Sequence, residues 1–260
     1  MNLKADGRPF RVGHKGAAAL EPENTLRSLR RGVELGCDLI EFDVLDLHDG
    51  TLVLAHSDDL LEVSHGAAAG RVREQTLGSL REVAPELPTF DQALELLGGM
   101  AGVGLHVDLK WHGYEDAAAE AIRRHGLVER SVVSSFHAAS LRRLAHVEPG
   151  LARGFTYPFD RRGLSRRLAL APVAASAVVA LRAALPGRVA RMLEQSRAEA
   201  LMLFHSVVSS AAVERAHARG AAVFAWTVND AAALDRVVAA GVDGVITDDP
   251  RIFRHRDYTQ

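Results

Sequence analysis

The chain has 260 residues, 48% of them apolar, a formal net charge of -2 and a single cysteine. That length can bury a full core, and one α/β barrel runs near this size. A near-neutral chain without a basic block argues against a nucleic-acid partner, one cysteine excludes an internal disulfide, and the longest nearly uncharged apolar run, Leu168 to Leu181, falls short of the roughly 20 residues a bilayer span needs.

In chain order, a strand is predicted over Phe10 to Val12, ending at Gly13-His14, followed by a helix with Asn24 as N-cap and Leu26, Leu29 and Val33 on one stripe. Gly36 closes that helix, and Cys37 beside it reads as a small core residue. A second strand covers 38–44, and Asp49-Gly50 turns the chain into a hairpin partner at Leu52 to Ala55. Residues 57–85 read as polar and irregular. Thr89 caps a helix through Leu97. The pattern then alternates: strand 105–110, helix 115–125, strand 131–135, helix 138–146, strand 151–156, strand 201–204, helix 209–219, strand 222–226, helix 230–240, strand 244–246. About eight strand–helix units with no linker-like change of composition predict one domain over 1–260. Its expected architecture is a (β/α)8 TIM barrel with an insertion near 158–200.

Two of these strands carry charge on one face only. Alternate side chains of a strand point to opposite faces, so Glu41 and Asp43 share a face opposite Ile40, Phe42 and Val44. His106, Asp108 and Lys110 likewise stand opposite Leu105, Val107 and Leu109. If both strands belong to one sheet, three acids and a lysine meet in one space, and acids of one sign held together need a cation or a proton. Glu41, Asp43 and Asp108 offer oxygen ligands alone, which favours a hard divalent cation, Mg2+ or Ca2+. Polar strand ends recur at His14, Ser134-Ser135, His205, Trp226-Thr227 and Thr247-Asp248, and in a barrel these gather at the C-terminal rim. His14 and His56 follow the strands that adjoin the acidic strand in sequence, and they are the candidates for proton transfer. Lys15 and Lys110 are candidates to neutralise a phosphate oxygen or an acid, and Trp226 to pack against a ligand or simply to fill the rim.

The ordered set Gly13-His14-Lys15-Gly16, Pro22-Glu23-Asn24-Thr25, Glu41-Phe42-Asp43-Val44, Asp49-Gly50 and His56 resembles the signature of the glycerophosphodiester phosphodiesterases. The later segments Leu87-Pro88-Thr89-Phe90, Asp108-Leu109-Lys110, Ser134-Ser135-Phe136, Trp226-Thr227-Val228-Asn229 and Asp243-Gly244-Val245-Ile246-Thr247-Asp248 arrive in the matching order. The resemblance runs from about residue 10 to 250. It implies a TIM barrel that uses a divalent metal to cleave glycerophosphodiesters to glycerol 3-phosphate and an alcohol. By that likeness Glu41, Asp43 and Asp108 hold the metal, and His14 and His56 are general acid and base. Lys110 contacts phosphate, Trp226 lines the substrate pocket and Asn24 steadies the site. Three positions depart from the family pattern: Lys15 stands where Arg is usual, Asp108 where Glu is usual, and Ser57 follows the second histidine where Asp is usual.

The 158–200 insertion adds Arg161, Arg162, Arg166 and Arg167 ahead of the apolar stretch 168–181. A basic flank beside an apolar helix suits peripheral contact with an anionic membrane through 161–181 and lysophospholipid substrates; a barrel helix with an Ala-rich outer face is the alternative. The start of the chain lacks the apolar core of a secretory signal, so a cytoplasmic location is expected. Rival functions are a lipid phosphodiesterase that releases a cyclic phosphate and an inactive barrel that binds head groups.

Overall fold

The computed structural model describes residues 1–159 and 172–255. Eight parallel strands form the barrel: β1 (Phe10–Gly13), β2 (Leu39–Asp46), β4 (Gly104–Leu109), β5 (Ser131–Ser135), β6 (Ala152–Tyr157), β7 (Ala200–Phe204), β8 (Ala222–Trp226) and β9 (Gly244–Thr247). The order around the sheet is β1-β9-β8-β7-β6-β5-β4-β2, and pairing of β1 with β2 closes the ring. The ninth strand, β3 (Leu52–Leu54), runs antiparallel to the far end of β2, as the Asp49-Gly50 turn predicts. Gly50 takes φ +81°, a conformation open to glycine at little cost. The fold is the expected TIM barrel.

The helices between strands follow from their caps and apolar stripes. α1 (Leu26–Glu34) is capped by Thr25, whose side chain accepts from the Ser28 amide. Asn24, the predicted cap, is instead in the left-handed region at φ +58°, and its amide group is drawn away to Asp43. Both residues suit a helix start, and the competing carboxylate decides between them. Residues 57–85, expected to be irregular, hold two short helices, α2 (Leu60–Val63) and α3 (Leu77–Val83), and a 3-10 turn over Val72–Glu74. They pack Leu60, Val72, Leu80 and Ala84 onto Leu45 and Val53, a core too short in period to read from sequence. α4 (Phe90–Gly98) starts at Thr89 with a reciprocal capping box to Gln92. α5 (Glu115–Arg124), α6 (Ala138–Val147), α8 (Ser210–His217) and α9 (Ala231–Ala239) cover the remaining outer face.

Within the insertion, the described part is one long helix, α7 (Pro172–Ser196), with Pro172 at its start. It turns Leu185, Val189 and Leu193 onto the barrel and leaves Val179 exposed. Residues 160–171, with all four arginines of the basic flank, lie outside the described residues. Among the described residues no helix is long and apolar enough to cross a membrane.

The barrel interior has two floors of opposite character. Its lower part is filled by Val12, Leu39, Val132, Met202, Phe224 and Ile246. Burying each such side chain contributes roughly 1.5–3 kcal/mol. Phe224 fits because Gly244 faces it: a Cβ there would lie 2.2 Å from the ring. Asp243 sits at this lower end, accepting from the Ala5 and Val223 amides and pairing with His217, far from the upper rim. Above the apolar layer the interior turns polar, with Glu41, Asp43, His106, Asp108 and Ser134 all buried. Cys37 lies in the outer core as expected, where burial pushes its thiol up to about 12.

Candidate active site

Register places the acids. In the β2–β4 pair, Glu41 stands beside His106 and Asp43 beside Asp108; in β4–β5, Asp108 stands beside Ser134. Carboxylate oxygens of Glu41, Asp43 and Asp108 lie within 4.8 Å of one another, and all three residues are at most 5% exposed. Lys110 Nζ is 3.0 Å from both Asp43 Oδ1 and Asp108 Oδ2.

The loop from His14 to Asn24 wraps over this cluster. Lys15 takes φ +52° and Gly16 φ +90°, so successive amides turn inward. The Lys15 amide donates to Glu41 Oε2 at 2.7 Å and the Gly16 amide to the Glu41 carbonyl at 3.1 Å. Ser28 on α1 ties the loop down: its hydroxyl donates to the Lys15 carbonyl and accepts from the Ala17 amide. This contact requires glycine at 16, because a Cβ there would lie 2.3 Å from the Ser28 carbonyl carbon. Asn24 closes the loop with both ends of its amide, Nδ2 donating to Asp43 Oδ2 at 2.9 Å and Oδ1 accepting from the Asp43 amide at 3.0 Å.

His14 stands over the acids, with Nε2 3.9 Å from Glu41 Oε2. Its Nδ1 is 2.6 Å from Asp248 Oδ1, and a carboxylate there accepts the Nδ1 proton, leaving Nε2 as the nitrogen that faces the cluster. Asp248 is held in turn by Asn229, whose Nδ2 donates to its other oxygen and whose Oδ1 accepts from its amide. His56 follows β3 and lines a cavity of about 170 Å3 between the start of α1 and the α2–α3 excursion, with Asn24, Glu62, Ala84 and Leu87 also in its wall.

The electrostatics show a deficit of positive charge. Burial, then Asp43 and Asp108, raise the Glu41 carboxyl well above its ordinary value. Burial also opposes the charge on Asp43, but Lys110, with His56, Lys15 and His14, holds its carboxyl well below the usual range. Burial works against the Lys110 ammonium, yet Asp43, Asp108 and Glu41 together keep it above its ordinary value. Burial and then Lys110 push the His56 imidazole down to about 3, so it is neutral at neutral pH. One ammonium thus serves three buried carboxylates, and Glu41 is the group left over. An oxygen-only donor set with that imbalance suits a hard divalent cation.

Of the sequence candidates, Glu41, Asp43, Asp108, Lys110, His14 and Asn24 converge through these contacts. Lys15 adjoins the site through its main chain, while its buried side chain turns to Glu23, with Nζ 2.8 Å from Oε2. Trp226, at the end of β8, lies on the other side of the same mouth, its indole N–H donating to the Met202 carbonyl. There it belongs to a continuous run of rings: Trp111, His112, His137, Phe159, Phe136, Trp226, Phe204 and His205 each lie 4.6–6.1 Å from the next, centroid to centroid. Lys110 Nζ is 6.0 Å from the Phe136 ring. His205 also bonds Arg236 and stands apart from the acids. Asp248 and Ser134, read from sequence as polar strand ends on the rim, and Asn229, read only within a family-like segment, join the site through these contacts. The signal for Asp248 was present, since closing the barrel makes the first and last strands neighbours.

A closed barrel with three clustered buried acids and a histidine at its C-terminal mouth has the layout of a rim-site enzyme. Residues 14–252 match the model of the glycerophosphoryl diester phosphodiesterase family. The chain belongs to that family, and its class is that of phosphoric diester hydrolases acting on glycerophosphodiesters. It is 29% identical over 255 residues to a glycerophosphodiester phosphodiesterase of Caldanaerobacter subterraneus, covering 92% of this chain and 93% of that one. It is also 29% identical over 263 residues to a probable glycerophosphodiester phosphodiesterase 1 of Mycobacterium tuberculosis, covering 94% and 90%. Among solved structures, a putative family member from Silicibacter pomeroyi superposes with TM-score 0.78 at 22% identity, over 98% and 95% of the two chains. An Oleispira antarctica phosphodiesterase in complex with the product sn-glycerol-3-phosphate superposes with TM-score 0.74 at 25% identity, over 95% and 96%.

Proposed function

We propose that this chain cleaves glycerophosphodiesters to glycerol 3-phosphate and an alcohol at the mouth of the barrel, with one divalent cation, Mg2+ or Ca2+, held by Glu41, Asp43 and Asp108. The observation that carries the reading is the convergence of three buried carboxylates beneath His14 Nε2. A bound cation supplies Lewis-acid stabilisation of the phosphoryl oxygens. Asn24 and the Lys15 amide hold two of the acids in place. The Lys110 ammonium offers a second positive charge to the phosphate as charge develops on it. Lys15, held by Glu23, adds a further positive charge near the loop. His14, oriented by Asp248, exchanges a proton at Nε2, and His56, which interacts electrostatically with Asp43, is its counterpart. One imidazole takes the proton of the attacking hydroxyl and the other protonates the departing alkoxide.

Glycerophosphocholine and glycerophosphoethanolamine, assayed with Mg2+ or Ca2+ and with EDTA, test this reading. Release of glycerol 3-phosphate that stops on chelation is the expected result. Absence of hydrolysis, or hydrolysis indifferent to EDTA, overturns it. Phosphorus NMR of the product separates water from an internal hydroxyl as nucleophile, because the internal route passes through a cyclic phosphate.

A second substrate class is favoured by the run of rings on the mouth, where Trp111 and Phe159 are 38% and 44% exposed. An acyl chain of a lysophospholipid would lie along such a surface. Liposome flotation with and without residues 161–181 tests the associated membrane contact; equal binding by both proteins ends that idea.

A further inference from the structure

Asp108 is held at both ends, and one end leads to a residue that touches neither the mouth nor any other acid through a hydrogen bond. Lys110 Nζ meets Asp108 Oδ2 at 3.0 Å, and the Ser134 hydroxyl donates to Asp108 Oδ1. Ser134 Oγ is also 2.8 Å from Nε2 of His106, which is 2% exposed and stands two residues before Asp108 on β4. The hydrogens can be counted. A hydroxyl has one proton, a carboxylate has none to give, and two lone pairs do not bond. The Ser134 proton therefore goes to Asp108, and the Ser134 oxygen accepts from His106 Nε2–H. The opposite arrangement would aim a hydroxyl lone pair at a buried carboxylate. His106 Nδ1 has no hydrogen-bond partner among the described residues, which suits the bare nitrogen of an imidazole protonated at Nε2.

We propose that His106 is a positioning residue that acts through Ser134 to fix the Asp108 carboxylate for cation binding; this rests on reading the three acids as the cation site. By donating to Ser134, His106 fills the acceptor side of the hydroxyl, so its proton points one way only. A donor that itself accepts is a stronger donor. The Asp108 carboxylate then cannot turn, and its remaining lone pairs face Glu41 and Asp43. Groups that orient metal ligands in this way typically change metal affinity 10- to 100-fold.

Calorimetric titration of the whole protein with Mg2+ and with Ca2+ tests the proposal, with thermal unfolding as the control for folding. Ser134→Ala is expected to weaken cation binding roughly 10- to 100-fold, and His106→Leu to weaken it in the same direction. The double variant should bind no more weakly than Ser134→Ala alone, because both changes cut one chain. His106→Gln, which can present an N–H near the position of Nε2, should recover most of the affinity, whereas His106→Asn, too short to reach Ser134, should not. A role in packing alone would not separate Gln from Asn. Normal cation affinity in folded His106→Leu, or losses that multiply in the double variant, overturns the proposal. If the Leu variant does not fold, normal affinity in His106→Asn overturns it equally. Wild-type protein that binds neither cation defeats the reading of the acids and this proposal with it. Wild-type binding with unchanged variants defeats the proposal alone.

Discussion

Around the mouth of the barrel, the arc from β9 through β1 and β2 to β4 carries His14, Glu41, Asp43, Asp108 and Lys110. The arc from β5 to β8 carries Phe136, Phe159, Phe204 and Trp226. On the first arc nearly every polar atom has a named partner: Asn24 and Lys110 for Asp43, Ser134 and Lys110 for Asp108, the Lys15 amide for Glu41, Asp248 for His14. On the second arc the contacts are ring against ring, at interplanar angles from 58° to 82° among Phe136, Phe159, Phe204 and Trp226. The difference follows from the cost of burial. A buried charge without a directed partner is expensive, so the charged arc is over-determined; ring edges tolerate many geometries. The charged arc suits fixed chemistry, and the aromatic arc suits adaptable contact with whatever group a diester carries.

Four tests, using five substitutions in all, would break or sharpen this contrast. Asp43→Asn should have the largest effect, removing a charge that Lys110 and Asn24 both address. Steady-state assays should show a fall in kcat/KM on the order of 10⁴-fold, and a fall below tenfold would show that the charged arc is not where reaction occurs. His14→Ala and His56→Ala should each lower kcat by roughly 10²- to 10⁴-fold, with folding checked by circular dichroism. The third test concerns acid stability. Burial opposes the charge of Asp248, but His14 and Asn229 hold its carboxyl below the ordinary value. An unfolded Asp titrates near ~3.9, so the contribution is complete above that pH and is lost as pH falls through the lower folded value. Urea unfolding of wild type should show that loss on acidification, and Asp248→Asn should flatten it. On the aromatic arc, Trp226→Leu should raise KM roughly 2- to 10-fold with kcat nearly unchanged, the scale of one aromatic contact. A kcat effect as large as that of the histidines would erase the distinction between the arcs.

Much of the charged arc was legible because a strand converts alternation into direction. Glu41 with Asp43, and Asp108 with Lys110, declare their face by the apolar residues between them. The ends of β5 and β8 also agree with expectation to the residue. Asn24 was legible as important and wrong in detail, since a helix cap and a carboxylate clamp call for the same small amide. The α2–α3 excursion was hidden because helices of four and seven residues are too short to establish a period. Asp248 was legible as a rim residue, but its partnership with His14, over 230 positions away, exists only once the ring is closed. Ser134 and His106 were visible as polar residues on strands, but the hydrogen bond that links them to Asp108 depends on register between strands, which composition does not encode.

The apolar floor of the barrel has a consequence for traffic. With Phe224 seated against Gly244 and Val12, Leu39, Val132 and Ile246 beside it, the cavity is a blind alley. Whatever enters from the upper end must back out the same way, and two fragments from one molecule must queue for a single doorway. Slow departure of the first would delay the next arrival, a penalty that a through-going channel would escape.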